Sequence, residues 1–149
     1  MLAYAFGGMK IMYPTNTKFL VVDDFATMRK IIKKVLTEIG YHNISEAEDG
    51  KPAFELMEKA QAAGEPFQFV ISDWNMPGMS GIDLLRACKA NPSHKAIPFM
   101  LVTAESEQKH IVEAAKAGVS DYVVKPFNAN TLKGKLERIY SKHSGKVAA

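Results

Sequence analysis

Five short apolar runs alternate along the chain with longer segments whose apolar residues return every three or four positions. Lys18-Phe19-Leu20-Val21-Val22 is the first run. It is continuous rather than alternating, which suits a strand buried on both faces. Met28, Ile31, Ile32, Val35, Leu36 and Ile39 then mark one face of an amphipathic helix, and Gly40 stands where such helices stop. A short strand is predicted at 43–47. A helix follows over 51–63, with Pro52 in its first turn, where the missing N–H costs nothing. Further strands are predicted at 67–71, at 97–102 (entered through Pro98) and at 121–124. Between them, Ile82, Leu84, Leu85 and Cys88 mark a third helix, and an Ala-rich helix over 107–117 is closed by Gly118. The last helix covers 131–140, with Leu132, Leu136 and Ile139 on its inner face.

Five β-α units in sequence imply right-handed crossovers and a parallel sheet with helices on both faces. The expected fold class is α/β: a doubly wound, five-stranded parallel sheet of order 2-1-3-4-5, a flavodoxin-like (βα)5 fold. Its domain is expected over 17–143. Residues 1–16 are expected to form a mobile extension and 144–149 a short tail, leaving no room for a DNA-binding output domain.

Length and charge narrow the classes further. A chain of 149 residues suits one domain that folds without a staple. Nineteen basic against sixteen acidic residues leave a net charge of +3, too mild to argue for nucleic acid or a membrane surface. No apolar run approaches the length of a membrane span, and the N-terminus lacks the basic region of a signal peptide. Cys88 is the only cysteine, so it is read as a packed helix residue, and a cytoplasmic location fits. His42, His94, His110 and His143 fall in separate segments and suggest no metal cluster. Lys133, Lys135, Arg138, Lys142 and Lys146 give the C-terminal segment a basic face, read first as solvated surface.

Candidate chemistry collects at the strand ends, where doubly wound sheets bind ligands. Asp23-Asp24 ends the first strand, Asp73 the third, Thr103 the fourth and Lys125 the fifth. Singly, each has a plainer role as a cap or turn residue. Together on one rim they are poorly explained that way. In the expected order, strands one and three are neighbours, so three carboxylates face one another with one lysine beside them. Such a cluster needs countercharge. An all-oxygen ligand set selects Mg2+, or Mn2+, over softer metals. A carboxylate beside such a cation can attack phosphorus and become an aspartyl phosphate.

The strings Val21-Val22-Asp23-Asp24-Phe25, Ser72-Asp73-Trp74-Asn75-Met76-Pro77-Gly78, Leu101-Val102-Thr103-Ala104-Glu105 and Tyr122-Val123-Val124-Lys125-Pro126-Phe127 resemble the receiver domains of bacterial two-component response regulators. Asp-Trp-Asn-Met-Pro and the Thr-Met-Arg after the acidic pair resemble the single-domain chemotaxis branch in particular. The resemblance implies that Asp73 accepts phosphate from a histidine kinase. Asp24 and Asp73 would bind Mg2+ through carboxylates, Asn75 through its backbone carbonyl, and Asp23 through a metal-bound water. Lys125, ahead of a cis proline, would pair with the phosphoryl group. Thr103 would hydrogen-bond that group and Tyr122 would turn inward as Thr103 moves. Asn75 and Glu105 would tune access of the hydrolytic water. Ser106, Gln108, Tyr122, Val124, Phe127, Lys135 and Arg138 would form the partner surface, with plain core packing the competing role for Val124 and Phe127.

The implied partners are a chemotaxis-type histidine kinase and the flagellar motor switch, with room for a dedicated phosphatase. A monomer is expected. Glu107 and Gln108 stand where this branch is lysine-rich, Asn128 where it carries a hydroxyl residue, and Gly134 lies inside a helix. Three alternatives make distinct predictions. A phosphorelay intermediate would pass phosphate to a histidine phosphotransfer protein. A phosphatase or mutase would need a general acid where Asn75 stands. A flavin module would need a glycine- and hydroxyl-rich loop where Asp23-Asp24-Phe25 stands.

Overall fold

Each apolar run becomes a strand, and each periodic segment a helix, in strict alternation. The structure is a computed structural model and describes residues 12–104 and 108–148. Its strands are β1 (Phe19–Val22), β2 (Ile44–Ala47), β3 (Phe69–Asp73), β4 (Phe99–Thr103) and β5 (Asp121–Val124). Its helices are α1 (Ala26–Ile39), α2 (Gly50–Ala62), α3 (Gly81–Lys89), α4 (Gln108–Ala117) and α5 (Ala129–Ala148). The strands pair in parallel in the order β2-β1-β3-β4-β5, as the sequence predicts. β1 and β3 are neighbours, with Val22 opposite Ser72, so their carboxyl ends finish side by side.

The sheet divides two cores. Leu20, Val22, Val70, Phe99 and Leu101 face α2, α3 and α4, where Met57, Leu84, Leu85 and Ala114 meet them. Phe19, Val21, Phe69, Ile71, Met100 and Val102 face α1 and α5, where Ile32, Leu36, Leu132, Leu136 and Ile139 meet them. Alternate residues of one strand therefore enter opposite cores. This is why these strands read as unbroken apolar runs.

Both predicted ends of the domain move outward. Met12 is buried and Tyr13 packs edge-on against Phe69 and Tyr140, with ring centroids 5.5 and 4.8 Å apart. The Tyr41 hydroxyl donates to the Tyr13 carbonyl at 3.0 Å, and Thr17 donates to Pro14 through both its N–H and its hydroxyl. Residues 12–16 are thus packed against the domain, while residues 1–11 lie outside the described part. At the other end α5 continues through Ala148 rather than stopping near 140, since no proline interrupts it. Asn128 opens this helix: its side-chain oxygen accepts from the N–H of Thr131 at 2.8 Å. Asn caps a helix as well as a hydroxyl residue does, so that departure from the family pattern leaves the helix start intact.

β3 and β4 begin two residues later than predicted, because the preceding residues join neighbouring strands only through single bonds. Gln68 N–H donates to Lys18, and the Pro98 carbonyl accepts from Val70.

Gly81 brings α3 against the rim. Its N–H donates to the Trp74 carbonyl at 2.9 Å, and a Cβ there would run into the carbonyl oxygen of Asp73. Gly134, in α5, has open space at the same position. Gly81→Ala is expected to cost about 2–4 kcal/mol of stability. Gly134→Ala is expected to gain about 0.5–1 kcal/mol. Urea unfolding of the two variants checks the opposite signs.

Candidate functional site

Three carboxylates and one lysine meet at the carboxyl edge of the sheet. Asp23 directly follows β1 and is completely buried, while Asp24 is half-buried. Asp73 is the last residue of β3 and is buried. One carboxylate oxygen from each of the three lies within 4.8 Å of the others. Lys125, just past β5, places its Nζ 3.0 Å from Asp73 Oδ1 and 3.9 Å from Asp23 Oδ2. The Lys125–Pro126 bond is cis, and Lys125 N–H donates to the Thr103 carbonyl at 2.7 Å. Thr103 closes β4 and is buried beside these groups.

Local folding explains the placement. Asp23 Oδ1 accepts from the N–H of Phe25 at 2.9 Å, which turns the chain into α1. Arg29 donates to the Asp23 carbonyl at 2.7 Å and its Nε lies 2.9 Å from Glu46, fastening α1 to β2 behind the acidic pair. Trp74 N–H donates to Val102, so the loop after Asp73 still follows β4.

The charge is not balanced within the protein. Burial pushes the Asp23 carboxyl up to about 6, against the pull of the Phe25 N–H and with the Asp73 charge adding to the rise. Burial also raises Asp73, although the Lys125 ammonium works to lower it. Asp23 Oδ2 and Asp24 Oδ1 are buried and accept no hydrogen bond among the described residues. Buried acceptors of this kind are costly unless a partner satisfies them. Two orphaned carboxylate oxygens in an all-oxygen cluster fit a hard divalent cation. Asp23, Asp24 and Asp73 are the side chains that would hold it.

Residues 19–137 match the response regulator receiver domain family. The chain belongs to that family. It is 46% identical over 134 residues to chemotaxis protein CheY-3 of Vibrio cholerae, covering 90% of this chain and 99% of the relative. It is 49% identical over 128 residues to chemotaxis protein CheY of Pseudomonas aeruginosa, covering 86% of this chain and 99% of the relative. The fold is similar to that of CheY4 of Vibrio cholerae, with a TM-score of 0.72 at 33% identity, covering 84% of this chain and 99% of that one. Receiver domains are signalling switches, and an acidic pocket that can take Mg2+ is typical of them.

The other residues singled out in the sequence are spread around this receiver. Asn75 is exposed in the loop after β3. Tyr122 is half-buried on β5, with the Lys135 ammonium 5.0 Å above its ring. Lys135 and Arg138 both pair with Asp121, at 3.3 and 3.6 Å. Phe127 packs against the core on the α1–α5 side, and Val124 is half-buried. Glu105 and Ser106 lie outside the described residues, as does the side chain of Gln108.

Two contacts went unread in the sequence. Arg29 stands in the Thr-Met-Arg string that carries the resemblance, but its bond to the Asp23 carbonyl is not legible there. His110, read as an isolated histidine, stacks on Trp74 with centroids 4.7 Å apart and planes 17° apart. That contact joins the residue after Asp73 to α4 across 36 positions of sequence, and only the adjacency of β3 and β4 could have suggested it.

The raised Asp23 carboxyl has a consequence for stability. The folded chain keeps a proton that the unfolded chain releases, so metal-free stability falls as pH rises from 3.8 to about 6. Asp23→Asn retains an acceptor for Phe25 and removes the charge. In the presence of EDTA at neutral pH the variant is expected to melt at higher temperature than the native chain, with a flatter pH profile over that window. Mg2+ is expected to raise the Tm of the native chain only. A lower metal-free Tm in the variant would show that the carboxylate is compensated within the fold.

Proposed function

We propose that this receiver is a chemotaxis response regulator that takes a phosphoryl group from a histidine kinase onto Asp73 and then docks on the flagellar motor switch. The observation that carries the chemistry is the Asp73 carboxylate, 3.0 Å from Lys125 and beside two carboxylate oxygens without hydrogen-bond partners. The relatives named as chemotaxis proteins, matched over 99% of their own length, support the biological setting. The same reading puts the chain in the cytoplasm. No helix among the described residues is long and apolar enough to cross a membrane.

In this reading an Asp73 oxygen attacks the phosphorus of a phosphohistidine. The new P–O bond forms as the P–N bond breaks, and the imidazole leaves with that electron pair and regains a proton. Lys125, already on Asp73, shifts toward the phosphoryl oxygens and offsets their charge. Asp23, Asp24 and Asp73, with the Asn75 carbonyl, would hold a divalent cation, which would supply further neutralisation. Hydrolysis of the acyl phosphate would reset the switch, with Asn75 and Glu105 tuning the approach of water as the family resemblance implies.

The switch follows from charge. Phosphorylation turns a carboxylate of −1 into a group of roughly −2 with more acceptors. The Thr103 hydroxyl gains a partner there only by moving, and its movement frees space for the Tyr122 ring. Lys135, above that ring, feels the change directly. The partner surface of Ser106, Gln108, Tyr122, Val124, Lys135 and Arg138 is then presented differently. Phe127 contributes mainly to packing.

The test is capture of purified flagellar motor switch protein on the immobilised chain. Retention is expected with Mg2+ and beryllofluoride, at least about tenfold above the level without them, and not with Asp73→Asn. Equal retention without the phosphate analogue would refute a phosphorylation-driven switch. Transfer of labelled phosphate from Asp73 to a histidine phosphotransfer protein, without motor binding, would instead identify a relay intermediate.

A further inference from the structure

A groove of about 630 Å³ runs between α3 and α4. Arg86 and Lys89 line it from α3, and Lys109, Val112, Glu113 and Lys116 from α4. Four cations and one carboxylate leave an excess of three positive charges, which equals the net charge of the whole chain.

The carboxylate does little to quench it. Glu113 lies 2.7 Å from the Arg86 guanidinium and is taken up by that pair. Among the described residues neither Lys109 nor Lys116 takes part in an ion pair, and both are exposed. The face expected to bind partners differs, because there Lys135 and Arg138 are both paired with Asp121.

The groove also has an apolar point. Val112 is 40% exposed, one of three large hydrophobic residues standing out of the described surface. It lies three positions after Lys109 and four before Lys116, so all three share one face of α4. On its other sides α4 is fixed, with Ala114 in the core and His110 stacked on Trp74. The groove is thus a cationic surface on a held helix with an aliphatic contact at its centre. Such a surface complements a peptide segment bearing carboxylates around one apolar side chain.

We propose that the α3–α4 groove is a second docking surface, taking an acidic amphipathic peptide segment of a partner protein. Lys109 and Lys116 meet its carboxylates, and Val112 meets its apolar side chain. This surface shares α4 with the partner surface proposed above, which includes Gln108, but uses the α3-facing side of that helix, where Lys109, Val112 and Lys116 stand.

The test uses a fluorescein-labelled helical peptide of glutamates and leucines, followed by anisotropy with the native chain. Binding is expected, weakening as salt rises. The double variant Lys109→Glu with Lys116→Glu is expected to lose affinity at least about tenfold. Val112→Ala is expected to weaken binding by a few-fold, and Lys135→Glu to leave it unchanged. All the altered side chains are exposed or half-buried, and circular dichroism confirms that each variant is folded. Undiminished binding by the double variant, or an equal loss in Lys135→Glu, would overturn the proposal. So would the absence of measurable binding by the native chain.

Discussion

The crowding of three carboxylates at a buried sheet edge is the constraint around which this molecule is arranged. Asp23, Asp24 and Asp73 bring oxygens within 4.8 Å of one another, and among the described residues only Lys125 answers them with a salt bridge. A fold gains nothing from such a cluster in itself. Burial, with the Asp73 and Asp24 charges adding to it, drives the Asp23 carboxyl up to about 6. The sheet order is what forces the contact, since β1 and β3 are parallel neighbours that end together. Gly81 lets α3 close on the carbonyl of Asp73, and Arg29 ties α1 behind Asp23. The surroundings thus hold the charges in place rather than let them relax apart. Stored repulsion of this kind is what a divalent cation would relieve.

Much of this was legible before any coordinates. Continuous apolar strands separated by amphipathic helices are enough to specify a doubly wound sheet, and the residue ending each strand then falls on one rim. Asp23, Asp73, Thr103 and Lys125 were readable because strand ends are the least ambiguous places in such a pattern. The domain ends were less so. Tyr13 and Met12 look like a tail in sequence, because their partners Phe69, Tyr41 and Tyr140 are distant along the chain. The end of α5 was hidden because the residues after 140 are mostly polar or small, Gly145 among them, and a long helix can absorb such weak formers. The contacts of Arg29 and His110 were hidden for a further reason: Arg29 belongs to a recognisable string but donates to a backbone carbonyl, and His110 stacks on a ring distant in sequence, so neither partner is marked by spacing.

The same geometry links the acidic rim to the outer surface. Trp74 follows Asp73 directly and carries His110 of α4 on its ring. On the other side of the sheet's edge, Lys135 lies over Tyr122 while paired with Asp121. A change of charge at Asp73 therefore meets two mechanical neighbours, one leading to α4 and one to β5 and α5. A ligand shifts such an equilibrium only by binding its two states unequally. Charges that are already paired, as on α5, are the ones whose exposure a switch can alter.

Trp74 provides the most direct test, because it is the only tryptophan and adjoins Asp73. Its emission is followed as Mg2+ and then acetyl phosphate are added to the native chain and to Asp73→Asn, with intact-mass measurement of each sample. The account predicts a Mg2+-dependent response to acetyl phosphate and a single phosphoryl adduct in the native chain, both absent from the variant. No response and no adduct in the native chain would contradict it, leaving the acidic cluster without a phosphoryl-accepting role.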